Sequence, residues 1–165
     1  MTVTIATYLE DVIDERIVPM LKEVSAAFTL PVEQVTRTVN ANDTPPFWWV
    51  YTGGLSPSLV AAARYTELVT VNLRLVLAHA KQTGYEGQYE GYLWTWLPTV
   101  SRYFQERRAL VYQAGQSAPD YLEPKDVVIG DFTPFGVFDD FGHIGVETVL
   151  TLPFSFYITS YPGNP

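Results

Sequence analysis

Apolar residues recur at helical spacing near the start of the chain. Ile5, Tyr8, Leu9, Val12, Ile13, Ile17, Met20, Leu21 and Val24 follow the i, i+3, i+4, i+7 pattern, and Glu10, Asp11, Asp14, Glu15, Lys22 and Glu23 fall on the other side. This predicts an amphipathic helix over 5–24. Thr4 or Thr7 is placed to cap it, and Thr7 with Glu10 has capping-box spacing. Pro19 lies inside the pattern and predicts a kink or break near Ile17, because its ring collides with the preceding turn.

The period then changes. After an irregular stretch over 25–46, where "VEQVTRTV" fits a short strand or a helical turn and "NANDTPP" is a turn cluster, "FWWVYTGG" reads as a strand over about 47–52 that its glycine pair terminates. It is apolar on both sides, as a covered strand is. "GGLSPSLVAAARY" reads as a loop around Pro57. Over 65–79 the odd positions Val69, Val71, Leu73, Leu75 and Leu77 are apolar, whereas Thr66, Thr70, Asn72 and Arg74 stand at even positions. That alternation predicts a long strand with one face on a core and the other toward solvent or a partner. "KQTGYEGQ" is a turn.

A second amphipathic helix is predicted over 88–110. Tyr89, Tyr92, Leu93, Trp96, Leu97, Val100, Tyr103, Phe104 and Arg107 share a face, and Pro98 marks a kink. A proline-containing loop leads to a long C-terminal hairpin over about 127–158, with strands over 127–138 and 144–158. Pro153 places the second of these at an edge or a bulge. Helix, two strands, helix, two strands is an α+β order. The expectation is one domain over 1–165. It would hold an antiparallel or mixed sheet of about four strands with both helices on one face.

Composition narrows the function. Net charge is −8, with no cluster of Lys and Arg suited to neutralising phosphates. Arg102, Arg107 and Arg108 read as the basic end of a helix. The acid concentrates over 120–165, where seven acidic residues face Lys125 alone. That is either a solvated face or a surface that repels something negative. There are no cysteines, which excludes disulfides and thiolate chemistry. The N-terminus lacks a signal-peptide pattern, and no apolar run approaches the ~18 residues of a membrane span. A soluble intracellular chain without membrane contact is expected.

Candidate chemistry is sparse. No phosphate-binding, dinucleotide or GxSxG motif is present. His79 at the end of the long strand reads as structural. Asp139, Asp140 and His143 could supply metal ligands, but three residues in one glycine-rich loop fall short of a convergent site with outer-shell support. Glu86 and Glu90 suit the start of a helix better than a glycosidase pair. The segment "DFTPFGVFDDFGHIG" precedes a strand and is acidic, which argues against phosphate binding. Gly136, Gly142 and Gly145 read as turn or bulge residues. Phe132, Phe135, Phe138 and Phe141 read as core or contact anchors on an arm reaching a neighbouring subunit or another protein. No enzyme, metal or cofactor is expected. What remains is surface, and surface points to an assembly component.

The element order resembles the tail terminator (tail completion) proteins of long-tailed bacteriophages and the related neck or head–tail joining proteins. The matching elements are the helix over 5–24, the aromatic strand ending in "YTGG", the alternating strand "ELVTVNLRLVLAHA", the proline-containing helix over 88–110, and a last strand with the cadence "VETVLTLPFSFYI". The 25–46 segment and the final hairpin are longer than in that pattern, so either position, terminator or neck, fits. The resemblance implies a virion structural protein at the tail–neck junction, assembled in the host cytoplasm. It would form a ring, a hexamer in this family, contacting the tail-tube protein and the head–tail connector. DNA would pass through the lumen without specific binding. An acidic lumen formed by Asp126, Asp131, Asp139 and Asp140 would suit that passage, and Thr66, Thr70, Asn72 and Arg74 would face a neighbour. The alternatives are a neck or head-completion adaptor of the same fold, a non-viral oligomeric adaptor, and a small α+β domain that binds a ligand or metal.

Overall fold

The computed structural model describes residues 5–40, 42–61, 64–79, 85–108, 122–124, 126–135 and 142–157. Helical structure runs without interruption from Ile5 to Ala26. It comprises α1 (Ile5–Val12), a π-helical turn (Ile13–Ile17) and α2 (Val18–Ala26). The expected irregularity ahead of Pro19 therefore takes the form of a widened turn. It falls where the proline ring would meet the carbonyl of Glu15 in a regular helix. Tyr8, Val12, Ile13, Ile17, Leu21 and Val24 are all buried, so the inner stripe survives the change of pitch. Thr7 lies within α1 and is not its N-cap, a correction to the capping expectation. Thr4 lies outside the described residues.

Among the described residues seven strands form one sheet: β1 (Val35–Thr36), β2 (Phe47–Ala61), β3 (Arg64–His79), β4 (Leu122–Pro124), β5 (Val128–Ile129), β6 (Thr133–Phe135) and β7 (His143–Tyr157). The order is β1-β2-β3-β7-β4, with β5 and β6 also pairing β7. β1 runs parallel to β2 and every other pairing is antiparallel. The class is α+β with a mixed sheet, as the element order predicts. The strand count among the described residues is seven rather than about four, because short segments dock along β7 and one, β1, on β2.

Several boundaries move for identifiable reasons. β2 does not stop at Gly53-Gly54. It continues through Pro57 to Ala61, so the expected loop is strand, with bulges at Thr52/Gly54 and Leu59/Ala61. The glycine pair makes a bulge, not an end. A Cβ on Gly53 would lie 2.5 Å from Asn72 Nδ2 and 2.6 Å from Thr70 Oγ1, so glycine is what lets the bulged chain pass this close. Pro57 is tolerated because β1 pairs only with Trp48 and Trp49, leaving β2 an edge strand farther along among the described residues.

The expected strand over 127–138 is split into β5 and β6, and the preceding loop contains β4. Between β5 and β6, Gly130 N–H donates to Val149 O at 2.9 Å, and the buried Thr148 hydroxyl donates to Gly130 O at 2.7 Å. These bonds hold the break against β7. β7 itself is central, flanked by β3 and by β4, β5 and β6, which corrects the edge expectation for Pro153. The proline sits opposite Leu68 and between the β5 and β4 pairings, where the second flank is interrupted.

α3 (Tyr85–Glu106) starts earlier than its predicted bounds, with Glu86 in its first turn. Both helical layers pack on one face of the sheet. The main core joins Tyr8, Ile13, Leu21, Trp96, Val100 and Phe104 to Trp48, Val50, Val71, Leu73, Leu75 and Leu150. Phe28 stacks on Trp96 with ring centroids 5.0 Å apart. Trp48 is fully buried, and its Nε1 donates to the buried Ser25 Oγ at 2.8 Å. That bond satisfies the indole donor where β2 meets α2.

Candidate functional site

The face of the sheet away from the helices is the chain's most distinctive surface. β3 and β7 alternate strictly, so burying Val69, Val71, Leu73 and Leu75 on the inner face carries Thr70, Asn72 and Arg74 to the outer one. Cross-strand register then assembles rows. Trp49, Arg74, Glu147 and Thr133 share one row, and Tyr51, Asn72 and Val149 share the next. Gly54, Thr70, Thr151 and Val128 make a third.

One end of this face is closed. Phe47 and Val76 form a small buried cluster with Val39 and Trp49, and Phe47 meets the buried His143 ring edge-on at 5.4 Å. Arg37 holds the covering segment in place. Its guanidinium binds Asp14 at 2.6 Å and Glu10 at 3.2 Å, and its Nε donates to Val50 O at 3.2 Å. Asp43 organises the adjacent turn by accepting from Gln34 Nε2 at 2.8 Å and from Asn40 N–H at 2.7 Å. Farther along, the face opens: Val149 is 36% exposed and Val128 57%.

At the centre Arg74 donates to Glu147 Oε2 at 2.5 Å, and its guanidinium lies 5.4 Å from the Trp49 ring and 5.2 Å from that of Tyr51. Those two rings lie 4.6 Å apart. The planar cation is thus neutralised by a carboxylate and flanked by two aromatic faces, an arrangement that suits arginine and not lysine. The Tyr51 hydroxyl is held above its usual pKa, first by burial; Glu147 adds to the rise and Arg74 opposes it. This patch is a polar and aromatic surface held by an ion pair and two ring contacts.

The other expected site residues lie as follows. Thr70 and Asn72 are half-buried beside Gly53. Thr66 pairs with Ser58 and Ser155 in the ladder. Phe132 packs against the main core, with its ring centroid 6.4 Å from that of Trp48. Phe135 pairs with Gly145. Asp126 and Asp131 are exposed, and Asp126 lies 3.7 Å from Arg108. Phe138, Phe141, Asp139 and Asp140 lie outside the described residues. Gly142 adopts φ 70°, the left-handed conformation that a glycine turn ahead of β7 requires. His79 and His143, the two histidines of the chain, are ladder partners. Among the described residues no three metal-ligating side chains gather, and no helix is long and apolar enough to cross a membrane.

Sequence reasoning found Arg74 but missed its cage. Trp49 and Tyr51 were legible as alternate residues of an aromatic strand, but joining them to Arg74 and Glu147 needs the register of three strands. No protein-family model matches this chain, and neither does any curated protein sequence.

Proposed function

We propose that this chain is a non-enzymatic virion structural protein, a ring-forming tail terminator that caps the tail tube and joins the tail to the head–neck connector. The observation that carries the reading is the length of the ladder and the openness of its outer face. β2, β3 and β7 contain 15, 16 and 15 residues, which at strand rise reach about 50 Å. The helices cover the inner face, and on the outer face Val128 and Val149 are exposed. A long ladder with an open outer face is what a subunit with neighbours would use. The element order shared with tail terminators supports the same reading.

The acidic C-terminal region fits a lumen that DNA traverses without binding, and Asp126 and Asp131 are exposed for that role. An assembled ring with both aspartates on its outer rim would remove that part of the proposal. The main experiment combines purified protein with polymerising tail-tube protein. Tubes of limited length, with rings at one end in electron micrographs, are expected. Unlimited tube growth together with binding to the connector would favour the neck-adaptor alternative, and failure to form any ring would sink both.

A further inference from the structure

We infer that the outward side of α3 seats on the open end of the outer sheet face in a second copy of this chain, so that copies join front to back. The inference rests on the ring reading and names its contact.

Trp94 and Trp96 stand two residues apart on α3, yet Trp96 is buried and Trp94 is 78% exposed. Trp94 lines an apolar groove of about 310 Å³ with Leu93, Leu97 and Pro98. Gly91, one turn earlier, leaves open space beside it, since a Cβ built there meets nothing within 4 Å. Arg102 follows one turn beyond Pro98, exposed and without an ion pair. The next charges along the helix are matched: Arg107 lies 3.7 Å from Glu106, and Arg108 3.7 Å from Asp126. Among the described side chains this surface is therefore an indole knob followed by one uncompensated cation.

The outer sheet face presents the counterpart, on the opposite side of the two-layer fold. Val128 and Val149 are exposed there on adjoining strands, with Val128 beside Thr151 in the ladder. Gly130, exposed and without a side chain, bonds through its N–H to Val149 O and leaves a shallow gap next to both valines. Phe132 packs on the main core, so alternation turns Asp131 and Thr133 outward, and both are exposed. Arg74 and Glu147 neutralise each other on this face, whereas Asp131 makes no ion pair. The face thus offers two valines, a glycine gap and one uncompensated anion.

Each surface answers the other in apolar character and in charge, which is why the occupant is a second copy. The spacing agrees. From Trp94 to Arg102 is about 12 Å along the helix, and from Val128 to Asp131 about 10 Å at strand rise. With the indole over the valines and Gly130, Arg102 comes to Asp131. Two unlike surfaces on opposite sides of one chain make a heterologous contact, which closes into rings or runs into filaments. Asp131 then serves the contact, and Asp126 alone the lumen.

The absence of native cysteine makes the test direct. Thr95 and Thr133 are exposed beside the two surfaces without being their anchors. Copies carrying Thr95→Cys, mixed with copies carrying Thr133→Cys, should give covalent dimers with a short bismaleimide. Either variant by itself should give no more than a trace, and the double variant should give a ladder. Trp94→Glu should weaken self-association at least about tenfold, as loss of a central aromatic anchor does, with the monomer's thermal unfolding unchanged. Arg102→Glu should weaken it about fivefold, the upper range for an exposed ion pair, and adding Asp131→Arg should recover most of that loss. Rings that form without the mixed cross-link, and that Trp94→Glu leaves intact, overturn this contact while the ring reading stands. Efficient dimers from Thr95→Cys alone mean a two-fold contact and also overturn it. A chain monomeric at every concentration, with or without tail-tube protein, overturns both. A ladder from a protein that does not limit tail tubes keeps the contact and removes the terminator reading.

Discussion

The two faces of the sheet are made by the same strands and behave as opposites. The inner face is dry: Trp48, Val50, Val71, Leu73, Leu75 and Leu150 are fully buried beneath the helices. The indole N–H of Trp48, buried on that face, is met by Ser25. The outer face is built from charge and aromatic edges, with Arg74, Glu147, Trp49 and Tyr51 at its centre. Removing apolar area from water contributes roughly 25 cal/mol per Å², so the inner face carries most of the stability. The outer face, where charges remain partly hydrated, contributes less per residue and is free to specify contacts.

The strongest challenge to this contrast is Trp48→Ala, which should destabilise the fold by about 3–5 kcal/mol in a denaturant titration. A loss no greater than that of an outer-face variant would erase the distinction. Ser25→Ala should follow, at about 1–3 kcal/mol, because it orphans a buried donor; a neutral result would mean that water reaches the indole. On the outer face, a double-mutant cycle of Arg74→Met and Glu147→Gln should give a coupling of about 1 kcal/mol, since the pair is partly solvated. A value rivalling the Trp48 loss would make the outer face part of the core.

Gly91→Ala sharpens the comparison from outside the sheet. It should stabilise the monomer by about 0.5–1 kcal/mol, the helix-propensity gain of a site with open space around it. Weaker self-association in the same variant would locate a neighbour there.

The smallest effect is alkaline. Burial, the hydrogen bond to Glu23 and the charge of Glu23 push the Tyr103 hydroxyl up to about 12, against the opposing pull of Arg107 and Arg16. Burial also raises Tyr8, on the inner side of α1, and Tyr51, on the outer face of the sheet. A raised folded-state pKa means that the contribution is complete below pH 10. It is lost as pH climbs from 10 through 12, where the unfolded chain has released its proton and the folded one retains it. Tyr103→Phe should flatten that decline in thermal unfolding midpoints. An unchanged slope would assign the decline to Tyr8 and Tyr51.

The inner face was legible from the chain alone because it depends on period. The helical stripe from Tyr8 to Val24 and the alternation from Val69 to Leu77 repeat residue by residue, and burial followed them. The α+β class and the sidedness of the helices come from the same source. The outer face was half legible. Thr70, Asn72 and Arg74 were visible as the other parity of β3. The partners Trp49 and Glu147 lie 25 and 73 positions away and meet Arg74 only when register brings three strands together.

What tertiary structure alone decided follows from that difference. The local signals at Gly53, Gly54 and Pro57 favour a strand end and a loop, but ladder bonds to β3 outweigh them and leave a bulge within a longer strand. Short segments such as Leu122–Pro124 carry too little pattern to be read as strands and become so only by docking on β7. Periodicity is a property of neighbours in sequence, so the sequence determined which side of each element is apolar. Which apolar side finds cover is a property of neighbours in space. Only the tertiary structure could bury Trp96 and leave Trp94, two residues away, in the open.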